Sequence, residues 1–268
     1  MCRVTLLLDR ILAADGLSVV FQPVVELANG AMRLHGLECL TRGPKQSNAE
    51  RADVLFEYVR RKHVEPVVDR ACILVALREA ARLPGSPALS VNVHASTLGR
   101  DREFPAFLGT VADRHGVHPT RLTIEIVEHT QHWDGVTFER ALKALRGLGA
   151  RIALDDVGLG HSNYRMMLDT KPEYLKIDRY FVHGAHTDGH RRAVLDSIAQ
   201  LGWKLGARAV GEGVEDVADL ESLRDFGIEL AQGNLLSPPL TAEQLMASGW
   251  LTRAGLTPIA RSQSQSAA

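Results

Sequence analysis

Short apolar runs recur along the chain, and helix-like segments lie between most of them. Eight runs have the length and residue types of β-strands, and they span 18–27, 32–40, 88–93, 122–127, 151–157, 174–178, 207–213 and 230–236. Apolar residues repeat at helical spacing in the segments 67–75, 138–148, 194–201 and 217–226. This alternation predicts an α/β fold, and eight strands favour a (β/α)8 TIM-like barrel.

The first two strands depart from this alternation. Only residues 28–31 separate them, and Asn29-Gly30 within that link is a strong hairpin signal. The barrel is therefore predicted to have an antiparallel first strand. An open, doubly wound sheet is the competing architecture, but the glycine-rich phosphate loop that usually follows its first strand is missing from the sequence.

Composition and charge narrow the classes of function. The chain has 268 residues, a net charge of −1 and no long basic run, which argues against a bulk nucleic-acid surface but not against a small phosphorylated ligand. The cysteines, Cys2, Cys39 and Cys72, are too scattered for a disulfide framework and suit a reducing cytoplasm, the expected location. No apolar run is long enough to cross a bilayer, so no membrane span is expected.

Residues 1–250 are expected to form a single domain, because no Gly/Ser linker or repeat interrupts them. Residues 251–268 are polar and low in complexity, and a flexible C-terminal tail is predicted there. The strands begin near residue 18, so no sensor segment is expected ahead of the barrel.

Acidic residues stand at or near the ends of several predicted strands, namely Glu38, Glu125, Asp155, Asp156 and Glu212. A carboxylate in a buried strand is costly unless it is paired or binds a cation. Barrel strands end at one face, so these side chains are expected to converge there with Asn92, Lys176 and Gln232. Such an oxygen-rich set suits Mg²⁺ or Mn²⁺ and does not suit a thiolate zinc site.

The adjacent pair Asp155-Asp156 raises a geometric question. Neighbouring residues of a strand point to opposite faces, so only one of the two would ordinarily face the barrel interior. Both can reach one site if the strand ends there, and the segment 157–160, with Gly158 and Gly160, is predicted to supply that end.

Eight motifs occur in order between residues 18 and 240. Glu38-Cys39-Leu40 stands where one family has Glu-Ala-Leu, and the others are QP (22–23), SVNVHASTL (90–98), EIVE (125–128), DDVGLGHSN (155–163), KID (176–178), GEGVE (211–215) and QGNLLSPP (232–239). In these motifs the chain resembles the EAL-domain cyclic di-GMP phosphodiesterases. One such tripeptide would carry no weight, but eight motifs in order do.

The resemblance implies hydrolysis of cyclic di-GMP to linear pGpG at a two-metal site holding Mg²⁺ or Mn²⁺. Its metal ligands would be Glu38, Asn92, Glu125, Asp155, Asp156 and Glu212. Lys176 would orient and activate the attacking water, with Glu38 and Glu212 completing the catalytic set. Substrate contacts would come from Gln22, Arg42, Asp178, Gln232 and Pro239, with a structural role beside Lys176 equally open for Asp178.

The resemblance also implies a homodimer. Such relatives commonly pair through the loop after the Asp pair, here 157–167, and Tyr164, Met166 and Met167 are expected to be available for apolar contact. Glu128 would anchor that loop to the barrel. Val157 and Leu159 depart from the family's usual loop residues, which bears on regulation and rate more than on the presence of a site.

Two other functions remain open at this point. The chain could bind cyclic di-GMP as a receptor with little or no catalysis, or use the barrel as a scaffold for a protein partner. Receptor members usually lack several metal ligands, and a complete set of ligands also argues against a scaffold. All the matched ligands and Lys176 are present, which favours the enzyme.

Overall fold

The computed structural model describes residues 6–28, 31–127, 134–159, 164–252 and 257–258. Eight strands form a closed barrel, because β1 pairs with both β2 and β8. The strands are β1 Ser18–Ala28, β2 Ala31–Arg42, β3 Leu89–His94, β4 Leu122–Val127, β5 Arg151–Val157, β6 Tyr174–Ile177, β7 Arg208–Gly211 and β8 Leu230–Ala231. The predicted TIM-like barrel is confirmed.

The first strand is antiparallel to both of its neighbours, β2 and β8, and the pairs from β2 to β8 are parallel. The predicted hairpin is confirmed by the register, in which Ala28 faces Ala31, although residues 29–30 lie outside the described part of the chain. Because β1 runs downward and β2 to β8 run upward, Gln22 near the start of β1 reaches the same end of the barrel as Glu38 late in β2.

Helices surround the barrel. They are α1 Leu7–Ile11, α2 Ala52–Lys62, α3 Glu65–Ala80, α4 Ala95–Arg100, α5 Phe104–Arg114, α6 Gly135–Gly147, α7 Tyr164–Thr170, α8 Arg179–Val182, α9 Gly189–Leu205, α10 Val217–Asp225 and α11 Ala242–Ala247. Four of these helices, α3, α6, α9 and α10, coincide with the segments in which apolar residues repeat at helical spacing. The sequence prediction missed α5, although Phe104, Leu108 and Val111 mark one face at helical spacing and are buried.

The main hydrophobic core lies between the outer face of the barrel and the helices. In β4, Leu122, Ile124 and Ile126 are fully buried on that side, while Thr123 and Glu125 alternate with them and line cavities inside the barrel. Each such buried aliphatic side chain contributes about 1.5–3 kcal/mol relative to exposure. The core therefore fixes which side chains must face the barrel axis.

The structure differs from the sequence prediction at the last two barrel strands and near the C-terminus. The predicted last strands were too long, since β7 stops at Gly211 and β8 at Ala231. In the region predicted as a tail, Thr257–Pro258 forms a short strand, β9, that pairs with Ala31 and Met32, whereas 253–256 and 259–268 lie outside the described residues. Among the described helices, none has the length and apolar character needed to cross a membrane.

Candidate active site

The ammonium group of Lys176 lies among four carboxylates inside the barrel. Its Nζ is 2.6 Å from Glu125 Oε2 and 2.8 Å from Glu212 Oε1. The carboxylates of Glu38 and Asp155 lie 3.1 and 3.3 Å away. Four of these residues belong to β2, β4, β5 and β6, and Glu212 directly follows β7. Lys176 and Glu125 are almost completely buried, whereas Asp155 and Glu212 are partly exposed, so only the inner part of this charge cluster is shielded from bulk water.

Amide side chains hold Glu38 in place. Asn92 Nδ2 donates a hydrogen bond of 2.9 Å to Glu38 Oε1, and Gln232 Nε2 donates one of 2.7 Å to Glu38 Oε2. Gln232 Nε2 also contacts Gln22 Oε1 at 3.0 Å, and Gln22 Nε2 in turn donates to the carbonyl oxygen of Ser237. The first strand, the third strand and the loop after β8 thus all orient this one carboxylate.

The Asp pair reaches the site through an irregularity in β5. Pairing with β6 shifts register between Leu154 and Val157, and Asp156 adopts the left-handed conformation with φ of 52°. As a result, a carboxylate oxygen of Asp155, one of Asp156 and one of Glu212 lie within 4.8 Å of one another. The predicted strand 151–157 is confirmed, since β5 spans Arg151–Val157, but the bulge within it, which brings both aspartates to the site, was not predicted.

The donor set fits a divalent cation. Five carboxyl groups and a single ammonium group face one another, so the buried cluster carries an excess of negative charge that needs cations or protons to balance it. The buried Oε1 atom of Gln232 has no hydrogen-bond partner among the described residues. Hard oxygen donors of this kind are the ligands that Mg²⁺ and Mn²⁺ prefer.

The pKa values of the acidic groups show the same imbalance. Burial, with the nearby charge of Glu38, raises the pKa of Glu125 to about 8, and burial with a neighbouring carboxylate raises that of Asp156 to about 6. Burial also raises the pKa of Glu212 well above its usual range. Burial alone would lower the pKa of Lys176, but the surrounding carboxylates hold it well above its ordinary value. Without metal, the cluster therefore retains protons near neutral pH.

The loops that carry Glu212 and Gln232 approach each other closely. Val214 N donates to the carbonyl oxygen of Gln232 at 3.0 Å. A Cβ atom at Gly233 would lie 2.2 Å from the backbone nitrogen of Val214, so only glycine permits this approach. The close approach of the two loops therefore explains the glycine of the QGNLLSPP motif.

Two cavities flank the carboxylate cluster. One, of about 320 Å³, is lined by Gln22, Lys176, Asp178, Gln232 and Pro239 among others. The second, of about 390 Å³, is lined by Arg42, Phe56, Arg60, Asn92 and His94 among others. Glu38, Leu40 and Asp155 line both cavities. The five residues expected to contact substrate therefore divide between the two sides, with Arg42 alone on the second.

Several lining residues were not identified from the sequence. Phe56 and Arg60 lie four positions apart in α2 and face the second cavity, so the periodicity of that helix was the available signal. Arg179 and Glu215 line the first cavity and form an ion pair of 2.7 Å. Asp178 accepts a hydrogen bond from Tyr180 N at 2.7 Å and caps α8, which is a structural role that the sequence left open.

Of the three residues of the 157–167 loop that were predicted to form apolar contacts with a second chain, only Tyr164 is exposed. Tyr164 is 72% exposed, but Met166 and Met167 are only 2% and 5% exposed because they pack into the main core. The expectation that both methionines are available for an interface was therefore wrong. Glu128, the predicted loop anchor, and residues 160–163 lie outside the described residues.

Comparison with known proteins identifies relatives. The cyclic di-GMP phosphodiesterase PA2567 of Pseudomonas aeruginosa is 28% identical over 245 residues, which cover 89% of this chain and 40% of that protein. The PaMucR phosphodiesterase, solved as a c-di-GMP complex, is 27% identical with a TM-score of 0.77, covering 89% of this chain and 97% of that one. BlrP1 of Klebsiella pneumoniae, solved as a manganese/cy-diGMP complex, is 26% identical with a TM-score of 0.73, covering 87% and 58%.

The chain spans about a third or less of the length of several curated relatives that it matches. The match to the EAL domain itself runs over residues 7–239. That segment contains the eight barrel strands, the carboxylate cluster and both flanking cavities. Since it makes up most of the sequence, the chain belongs to the EAL domain family.

Proposed function

We propose that this chain is a metal-dependent phosphodiesterase that hydrolyses cyclic di-GMP to linear pGpG with Mg²⁺ or Mn²⁺. The observation that carries the proposal is the buried cluster of five carboxyl groups around Lys176, between two cavities. The c-di-GMP complexes of PaMucR and BlrP1 support the choice of substrate. The alternative is a receptor that binds the same ligand with little or no turnover.

The two cavities suit a ligand with two similar halves. They lie on either side of Glu38 and Asp155, which line both. A cyclic dinucleotide would place one phosphodiester over the carboxylates and a guanosine on each side. On the second side, Arg42 would contact phosphate, since its guanidinium is half-buried beside Glu38 and lines the cavity. Gln22, Asp178, Gln232 and Pro239 would contact substrate from the first side.

The residues divide into two sets of metal ligands. Glu38, Asn92, Glu125 and Asp155 would hold the first ion, and Asp155, Asp156 and Glu212 the second. When bound, the ions would polarise the phosphodiester, neutralise its charge and lower the pKa of a water molecule. Support for the second set comes from its three carboxylate oxygens, which already lie within 4.8 Å of one another.

Lys176 would hold and orient the attacking water, with Glu38 and Glu212 beside it. Its position 2.6–3.3 Å from four carboxylates places a hydrogen-bond donor at the centre of the site. Water adds its oxygen to phosphorus, the bond from phosphorus to the 3′ oxygen breaks, and that oxygen takes up a proton. One P–O bond forms and one breaks, which opens the ring and leaves the phosphate on the 5′ side, as in pGpG.

The direct test is to incubate the purified chain with cyclic di-GMP and Mn²⁺ and to follow pGpG by chromatography. We expect pGpG from the native chain and none from Glu38→Gln, while Glu221→Gln, an exposed carboxylate of α10, retains the native rate. Binding of cyclic di-GMP without any pGpG would refute hydrolysis and support the receptor. Absence of binding would refute both functions.

We also propose that residues 1–250 act as one EAL-type unit that pairs as a homodimer in the cytoplasm. The exposed apolar side chains of Tyr164 and Leu168 on α7 and Val194 on α9 support a contact surface on this side of the barrel. Tyr164 and Val194, together with Phe181, line a cavity of about 520 Å³ there. A two-fold pairing would cover these side chains.

A further inference from the structure

A third cavity, here called the lower cavity, lies inside the barrel at the end opposite the carboxylate-flanking cavities. Its volume is about 360 Å³, within the range of about 300–1,000 Å³ typical of small-molecule sites. The first residues of three parallel strands line it, namely Arg151 of β5, Tyr174 of β6 and Arg208 of β7. Glu125 and Lys176 form its inner end. It therefore opens where the strands begin, away from the proposed substrate.

The lower cavity exists because the inward-facing residues there are small. TIM barrels are usually filled by layers of Val, Ile and Leu side chains. Here the small residues Gly36, Ser90, Thr123 and Ala153 take several of the positions that line the space, beside apolar residues such as Val24 and Val210. Two of these small residues, Ser90 and Thr123, carry hydroxyl groups, which can form hydrogen bonds with a polar ligand. This end of the barrel is therefore open, and both polar and apolar side chains line it.

A bulge in β2 contributes His35 to the lower cavity. The β1–β2 register passes from Val24–Gly36 to Val25–Leu34, so His35 is the extra residue. His35 Nε2 lies 3.1 Å from the hydroxyl oxygen of Tyr174. Burial, followed by the positive charges of nearby arginines, lowers the pKa of His35 to about 4, so the ring is neutral at physiological pH.

The arginines at the mouth of the lower cavity differ in their partners. Arg208 lies 2.6 Å from Glu26 Oε1 and 3.3 Å from Glu229 Oε2, so its charge is balanced within the protein. Arg151 donates only a long hydrogen bond of 3.4 Å to the carbonyl oxygen of Thr120, and it forms no ion pair with a carboxylate of the described residues. Arg151 is exposed at the rim and lines the cavity, so it can accept an anionic partner.

We propose that the lower cavity binds a small organic anion, a carboxylate or phosphate on a compact apolar body, with Arg151 as its charge partner. The apolar body would lie against Val24, Leu89 and Val210, which also line the space. The hydroxyl of Tyr174 and the ring N–H of His35 would donate hydrogen bonds to the acidic group. Such a ligand would lie beneath the Lys176–Glu125 pair, on the side away from cyclic di-GMP.

The test uses the full metal-free chain, with benzoate, phenyl phosphate and inorganic phosphate as probes in titrations followed by NMR. We expect benzoate or phenyl phosphate to bind more tightly than inorganic phosphate, which lacks the apolar body, and to shift the ring signals of His35, assigned with His35→Gln. Arg151→Gln should weaken binding by about tenfold or more, and Arg151→Lys should weaken it less. Arg78→Gln, a half-exposed arginine of α3 outside the cavity, should leave it unchanged.

Three outcomes would overturn the proposal. The first is that neither organic anion binds the native chain at millimolar concentration, which would leave a water-filled cavity. The second is binding that Arg151→Gln does not weaken. The third is binding that Arg42→Gln abolishes while the His35 signals stay unshifted, which would place the probe in the second cavity beside the carboxylate cluster. Because the probes and readouts involve neither metal nor turnover, failure here would leave the phosphodiesterase proposal standing.

Discussion

Lys176 Nζ and Glu125 Oε2 lie 2.6 Å apart, and both residues line the lower cavity, while Lys176 also lines the first of the two cavities that flank the carboxylate cluster. This ion pair therefore lies between the two ends of the barrel interior. Both side chains are almost fully buried, so the protonation state of each depends on the other and on the neighbouring carboxylates. A change to either residue should be measurable both in stability and at the site.

Replacing Lys176 by methionine should greatly slow turnover and destabilise the metal-free protein at about pH 8. The substitution keeps the length of the side chain but leaves buried carboxylates without their cation, a loss of about 3–5 kcal/mol for a broken buried pair. Loss of a positioned donor should lower kcat by about 10²–10⁴-fold. Urea unfolding and pGpG formation measure the two effects.

The matched control is Lys204→Met, which removes an exposed lysine of α9. It should change neither stability nor kcat by a measurable amount, because exposed charges contribute little. If Lys176→Met kept the native kcat, the role assigned to Lys176 would be wrong.

Binding of Mn²⁺ should release protons and strengthen as pH rises. In the metal-free protein the pKa of Glu125 is about 8 and that of Asp156 about 6, so protons must leave before these groups can coordinate an ion. Affinity should rise by up to about tenfold per pH unit for each proton released. Titration calorimetry in buffers of different ionisation enthalpy counts the protons, and a count of zero near pH 7 would contradict the raised pKa values.

The same groups predict how stability varies with pH. The folded, metal-free protein keeps a proton on Glu125 up to about pH 8, whereas the unfolded chain loses it near the ordinary value of 4.5. Folding therefore binds protons across that window, and this contribution to stability falls as pH rises through it. Thermal unfolding of Glu125→Gln beside the native chain in EDTA should show a smaller fall for the variant, and equal slopes would exclude Glu125 as the source.

Asp156 offers a test of the β5 bulge. Its φ of 52° is in the left-handed region, where asparagine and glycine are tolerated and alanine is strained. Asp156→Asn should keep the fold and weaken binding of the second Mn²⁺ ion, while Asp156→Ala should in addition lose about 1 kcal/mol of stability. Mn²⁺ titration and urea unfolding separate the two effects. Identical stability of the Asn and Ala variants would show that the backbone conformation is unimportant.

Ca²⁺ should inhibit turnover that Mn²⁺ supports. Ca²⁺ is larger and is coordinated more loosely, so the water held near Lys176 would be less activated and less well placed. Turnover should stop in EDTA, return with Mn²⁺ and fall again when Ca²⁺ is added in excess. Equal turnover in EDTA would refute the two-metal proposal.

The activity of each chain should depend on homodimerisation. Light scattering over a dilution series, run beside the pGpG assay, should show activity per chain falling as the dimer dissociates. Tyr164→Ser should shift dissociation to higher concentration, since Tyr164 is highly exposed on α7. Trp203→Ser should not, since Trp203 is exposed near the end of α9 and does not line the cavity at that face. A strictly monomeric protein with full activity would refute the coupling but not the hydrolysis.

Much of the fold follows from local patterns. The spacing of apolar residues placed all eight barrel strands, and Asn29-Gly30 indicated the antiparallel pair, because a two-residue turn leaves no length for a crossover. The lengths of β7 and β8 were overestimated. The residues predicted to extend these two strands belong instead to the loops that carry site residues. A strand ends where its pairing ends, and pairing depends on the neighbouring strands.

By itself the sequence determined which residue types meet at the ends of the strands. The meeting of Glu38, Glu125 and Lys176 follows from their positions near the ends of predicted strands, because parallel barrel strands bring their ends to one face. Only the tertiary structure decided that Asp156 turns inward through a bulge, and that His35 and Arg151 border an open cavity at the other end. Register and the size of inward-facing side chains across different strands set those features, and neither is written in any one segment of the chain.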